Sequence, residues 1–184
     1  MKTQIVSLET IRANDVNPRT ITEAKFDQLV DSILSFPKML SIRPIAVDAA
    51  FIALGGNMRY RALTAISTMK AKEIRIRLES QNSFQKKTAP EQKLLLDYWE
   101  KWQKKPVVEV VPMDDLTPDE QKEFLIKDNV GFGEWNWDAL ANEWNESELH
   151  EWGLDVWQPD TEEEEEPKPK EKEKMVCPHC GEEI

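Results

Sequence analysis

Cysteine is nearly absent from this chain. The only two, Cys177 and Cys180, fall within the last eight residues, so no disulfide framework is expected to staple the fold, and a reducing, cytoplasmic setting is expected. Long apolar runs are missing too. None approaches the roughly 18 residues a membrane span needs, and the opening MKTQIVSLETIRANDV shows no signal-peptide hydrophobic region, so no membrane partner is expected. Positive charge falls short of negative, 24 Lys and Arg against 35 Asp and Glu, a formal net charge of -11. Phosphate contacts along DNA need lysine and arginine, so this acidity argues against non-specific wrapping of a duplex. The shortage is uneven. Residues 1–88 carry a net +6 and residues 89–184 a net -17, which leaves room for a local anion site, or a DNA contact, in the basic first half. The usual glycine-rich nucleotide signatures, G-x-x-x-x-G-K-[ST] and G-x-G-x-x-G, do not occur.

What is present alternates between strand and helix patterns. Gln4–Leu8 reads as a short strand. Asn14–Thr20 is loop chemistry, because Asn17 precedes Pro18. Phe26, Leu29, Val30, Ile33 and Leu34 recur at helical spacing behind a capping Thr22, and Pro37 ends the pattern. Arg43–Asp48 and Phe51–Leu54 suggest a hairpin, followed by a helix from about Asn57 carrying Ala62, Leu63, Ala65, Ile66 and Met69. Glu73–Ser80, EIRIRLES, alternates apolar and charged residues, the period of a half-exposed strand, and Ser80–Thr88 reads as a polar loop. A helix after Pro90 carries Leu95, Tyr98, Trp99 and Trp102 along one side, and Val107–Val111 is a strongly β-prone run. Thr117, Pro118 and Glu120 form a capping-box signature. Two short helices are expected at about Asp138–Trp144 and Glu146–Trp152, stopped by Gly153. Strands and helices mix without a long βαβ rhythm, so the class is α+β, a small mixed sheet with packed helices.

The segment LGGNMRYRAL (Leu54–Leu63) brings two arginines close to a glycine pair at a strand-to-helix junction. On local grounds it reads either as a turn with solvated arginines or as an anion site. In the second reading, the amides of Gly55 and Gly56 approach phosphate oxygens with no Cβ in the way. A helix starting at Asn57 points free N–H groups at the same place, and Arg59 supplies a two-pronged donor. Arg61 points elsewhere on the helix, toward acidic partners or the Asn17-Pro18-Arg19 loop. Tyr60 belongs to the core, and Arg19 either closes the site or stays a solvated loop arginine.

The order of these elements, NPR, an amphipathic helix, IRPIAVD and ALGGNMRYRALTAI, resembles the N-terminal domain of the ParB/sulfiredoxin superfamily over roughly residues 3–79. Against that family's G-E-R-R-[YW]-R-A segment, five of the seven residues Gly56–Ala62 agree. The resemblance implies a small α+β domain over 1–115, with an inserted helix at about 89–105 and Val107–Val111 as a displaced strand. It also implies binding of a nucleoside triphosphate of the CTP or ATP class, with Mg2+, through Arg19, Gly55, Gly56, Asn57, Arg59 and Arg61. The departures change the chemistry. Asn57 stands where the ParB glutamate tied to hydrolysis would be, and an amide cannot act as a general base. Met58 removes one phosphate donor. The same Asn57 occupies the place of the working cysteine in sulfiredoxin's G-G-C-H-R segment, so reductase activity by that route is not expected. A weakly hydrolytic or non-catalytic nucleotide-binding module follows. A metal-dependent DNA nuclease, as the label "ParB-like nuclease" implies, would need clustered carboxylates. Glu9, Asp15, Glu23, Asp27, Asp31 and Asp48 show no evident pairing.

Residues 116–157 form an acidic extension holding five of the seven tryptophans, Trp135, Trp137, Trp144, Trp152 and Trp157. The stretch IKDNVGFGEWNWDALANEW resembles one that follows this domain in phage and prophage ParB-like proteins, often beside DNA methyltransferases. It offers no basic recognition helix. Its tryptophans read as packing for short helices, as a docking face for a protein, or as a base-stacking surface. Asp128, Glu134 and Asp138 read as a solvated acidic face or as metal ligands, and His150 as a surface residue. Residues 158–174 hold no residue able to build a core and read as a solvated linker. In the tail, 175–184, Cys177-Pro-His-Cys180-Gly has the shape of half a zinc knuckle. Two thiolates need two more ligands, so Zn2+ would be shared between chains of a homodimer or with a protein partner; the other reading is a ribbon without metal. These features set out three functions: a nucleotide-binding module acting with DNA-processing partners, a protein–protein adaptor using the tryptophan block and cysteine tail, and a nuclease.

Overall fold

The computed structural model describes residues 2–131, 133 and 135–155. The charged linker at 158–174, Trp157, Glu134 and the tail with Cys177 and Cys180 lie outside these residues, as does the zinc site proposed on those cysteines.

The chain is α+β. Four strands form one sheet in the order β1-β4-β2-β3. β1 (Gln4–Ser7) pairs antiparallel with β4 (Val107–Pro112), Gln4 opposite Val110. β4 runs parallel to β2 (Ile45–Val47), and β2 turns back antiparallel onto β3 (Ala53–Gly55). The strand latest in sequence therefore sits inside the sheet, where its valines are most useful: Val108 and Val110 are buried. The β2–β3 connection is tied by Asp48, whose Oδ1 accepts from the Ala50 N–H at 2.9 Å and the Ile52 N–H at 2.8 Å. Asp48 is thereby committed to a turn.

Helices cover the sheet. α1 (Glu23–Ser35) starts with the Thr22 side chain accepting from the Lys25 N–H and buries Val30, Ile33 and Leu34. A short turn, α2 (Met39–Ile42), leads into β2. α3 (Asn57–Thr68) follows β3 directly and buries Ala62, Leu63 and Ile66. α6 (Ala89–Lys104) places Trp99 wholly out of solvent. The Trp99 indole N–H donates to the Leu34 carbonyl at 2.9 Å, and that of Trp102 to the Val107 carbonyl at 2.8 Å. Two buried indoles with satisfied donors thus tie α6 to α1 and β4.

Residues 73–80 are not a strand. Residues 73–79 lie in α4 (Ala71–Glu79), and Ser80 is its C-cap. The alternating pattern misleads because only Ile74 and Leu78, four apart, are buried, while Ile76 is 55% exposed. Arg77 decides the matter. It pairs with Asp27 at 2.8 Å and Asp31 at 2.9 Å on α1, and reaches Glu73 one turn back at 3.9 Å. Lys, Glu, Arg, Ala and Leu are good helix formers, so propensity agrees. The expected loop at 80–88 also contains a helical turn, α5 (Asn82–Gln85), which buries Phe84.

The extension begins with α7 (Pro118–Lys127), whose capping box joins Thr117 and Glu120 in both directions. α8 (Trp137–Glu143) and α9 (Glu146–Glu151) each start from an asparagine that caps the third residue on, and Gly153, at φ 92°, follows α9. α7 lies on β3 and α9 on α5. Among the described residues no helix is long and apolar enough to cross a membrane.

Candidate functional site

Gly56 is the N-cap of α3, with φ 81°, and among the described residues no side chain caps the helix. Its left-handed backbone turns β3 into α3 within one residue. The space over it is filled by Arg59: a Cβ at position 56 would stand 2.7 Å from Arg59 Nη2 and 3.0 Å from Nε. Arg59 is thus folded back over the glycine, and its Nη1 donates to the Arg43 carbonyl. Burial, together with the nearby Arg43 charge, lowers its pKa from the ordinary arginine value, and the Asp128 carboxylate partly offsets this.

These groups border a cleft of about 580 Å³. Its walls come from the loop before α1, one side of α1, Arg43, the start of α3, the end of α7, and Trp152 with Gly153 after α9. Four cations line it: Arg19, Lys25, Arg43 and Arg59. Among the described lining residues Asp128 is the carboxylate. Arg19 donates to the Asn129 Oδ1, and Lys25 reaches the Gly153 carbonyl at 3.3 Å and pairs with Asp155. The size lies within the range of about 300–1,000 Å³ usual for small-molecule sites.

The residues singled out in the sequence separate into two groups. Arg19, Gly56, Asn57 and Arg59 border the cleft. The Asn57 side chain is nonetheless buried and spent on Asn14, accepting from its N–H at 3.1 Å and donating to its carbonyl at 3.2 Å. Gly55 is used for packing: a Cβ there would meet Asp128 Oδ2 and the Phe124 ring, each at 3.1 Å. Its missing side chain admits α7 rather than a ligand. Arg61 lies off the cleft and faces Asp15 in the preceding loop at 4.0 Å, both exposed. Arg43, Lys25, Asn129 and Trp152 were not foreseen as cleft residues. Arg43 carried a faint signal as the arginine of the RPI segment; Lys25 and Asn129 carried none.

The carboxylates considered for metal chemistry are engaged by other partners. Asp27 and Asp31 hold Arg77, Asp48 holds its turn, and Asp15 faces Arg61. Burial outweighs the pull of Arg77 on Asp31, whose pKa is raised above 3.8. Among the described residues no three His, Cys, Asp or Glu side chains gather as metal ligands would. No family model matches the chain, and no curated protein matches it either.

Proposed function

We propose that the cleft binds the phosphate groups of a nucleoside triphosphate, in a module that holds nucleotide rather than one that turns it over. The observation that carries this is the convergence of Arg43 and Arg59 beside the uncapped start of α3, with Asp128 as the balancing carboxylate. Two neighbouring guanidiniums, one of them desolvated, are costly without an anion. A phosphate would relieve that cost, accept from Arg59, and meet the first-turn N–H groups of α3. The resemblance to ParB-type domains points to the same segment. Mg2+ held mainly through phosphates needs only one or two protein carboxylates, and Asp128 is suitably placed in the cleft to be one. Asn57, bound through both its amide atoms, is not available to activate water.

Calorimetry with CTP, ATP and GTP in the presence of Mg2+ tests the reading. Binding is expected, and Arg59→Ala should weaken it by about 10-fold to 100-fold, the worth of a charge-assisted pair. Absence of both heat and thermal shift with all three nucleotides would overturn it.

A second reading, a protein-docking role for the extension, is supported by four tryptophans, Trp135, Trp137, Trp144 and Trp152, that remain 47–60% exposed. Three of them, Trp135, Trp144 and Trp152, line one surface depression, and large aromatics gathered on a surface mark interaction sites. A partner that co-purifies with Arg59→Ala, but not with Trp135→Ala/Trp144→Ala, would favour it; loss of that partner on deleting residues 158–184 would place the contact in the tail instead.

A further inference from the structure

We infer that Trp152 is the nucleobase platform of the cleft, so that the C-terminal extension completes the ligand site instead of merely covering the domain. This rests on the phosphate-binding reading above. Phosphate groups alone need cations and N–H donors. The cleft contains something more, a half-exposed indole, 50% open to solvent, in the same wall as Gly153. Every nucleobase has a π-face, and an aromatic ring beside a cationic groove is the arrangement that captures one.

The helix that leads into Trp152 is anchored to the domain. Glu151, the residue before it, accepts from the Asn82 N–H at 3.0 Å and the Ser83 N–H at 3.1 Å, so α9 is bolted to the start of α5. Glu148 pairs with Lys86, and Leu149 is buried. On the other side of the chain, Lys25 from α1 holds the Gly153 carbonyl. Trp144 stands edge-on to the Trp152 ring, centroids 6.2 Å apart at 87°, an aromatic buttress. Stacking tolerates any base, so the site is expected to take nucleoside triphosphates as a class, with discrimination between bases left to other groups.

The test compares two probes, ATP and inorganic tripolyphosphate, on the full chain and on Trp152→Leu and Trp152→Phe. The wild-type chain is expected to bind ATP more tightly than tripolyphosphate. Trp152→Leu should weaken ATP by roughly 10-fold to 100-fold and leave tripolyphosphate within about twofold, while Trp152→Phe, which keeps a ring, should recover most of the loss. Equal affinity for the two probes in the wild-type chain would overturn the platform and leave the phosphate site standing. So would a leucine variant that loses both probes alike, or neither. If neither probe binds the wild-type chain, the phosphate reading fails and this inference with it.

Discussion

Asn57 presents an edge like that of a peptide group to Asn14, accepting from its N–H and donating to its carbonyl across 43 positions of sequence. Both residues are buried. The contact pins the loop that leads to Arg19 against the first turn of α3, and so holds two walls of the cleft together. An asparagine here is a structural clamp, where a glutamate would be too long and could not donate.

Asn57→Ala should therefore lower stability by about 2–4 kcal/mol, because two buried backbone groups of Asn14 lose their partner. Asn57→Asp should cost at least as much at neutral pH, since a carboxylate cannot donate to the Asn14 carbonyl. That variant's buried carboxyl would have a raised pKa, so its stability should recover as pH falls and the group becomes a donor. Urea unfolding at pH 7 and pH 5 checks both; an alanine variant as stable as wild type would refute the clamp.

Gly56→Ala should remove nucleotide binding although position 56 has no side chain of its own to meet phosphate. The backbone at φ 81° disfavours any Cβ by about 1–2 kcal/mol, and the added methyl would stand 2.7 Å from Arg59 Nη2. The guanidinium must move off the mouth of α3. A modest fall in melting temperature with loss of ATP heat is expected; full retention of binding would show that Arg59 acts elsewhere.

Ile74 and Ile76 separate helix from strand. In a strand they would share a face. In α4, Ile74 is 3% exposed and Ile76 faces outward. Ile76→Lys should stay within about 0.5 kcal/mol of wild type, whereas Ile74→Lys should cost about 3 kcal/mol or more by burying an ammonium among apolar side chains. Equal destabilisation of the two variants in urea titrations would contradict the helix.

The capping boxes carry a pH signature. Glu91 and Glu120 each accept from the N–H and hydroxyl of their N-cap threonines, and those hydrogen bonds hold their pKa values below the usual 4.5. A carboxylate with a depressed folded pKa stabilises above its unfolded value and loses that contribution as pH falls through the folded one. Unfolding midpoints should therefore decline below about pH 4.5, and Glu91→Gln/Glu120→Gln should flatten that part of the profile. An unchanged slope in the double variant would remove the caps as its cause.

Much of this was legible in the residues. Thr22, Pro90 and Thr117 mark real helix starts, and Val107–Val111 is a strand because β-branched runs favour one. The α4 pattern misled because charge and apolar side chains alternate on a helix whose exposed face carries one isoleucine. α5 was hidden for a different reason: the partner of its first N–H groups is Glu151, almost seventy positions away. Of the site residues, Arg19, Gly56 and Arg59 reach the cleft, while Gly55 and Arg61 serve packing and a surface pair.

Capping, periodicity and turn chemistry act within a few residues of chain, so the order and type of most elements, and the α+β class, were already written in the one-dimensional pattern. The cleft was not. Its cations arrive from a loop, from α1, from the turn before β2 and from α3, and Asp128 and Trp152 come from the extension. Coulomb forces and burial act through space rather than along the chain, and only packing β4 between β1 and β2, with α7 and α9 laid against the domain, brings those groups to one place.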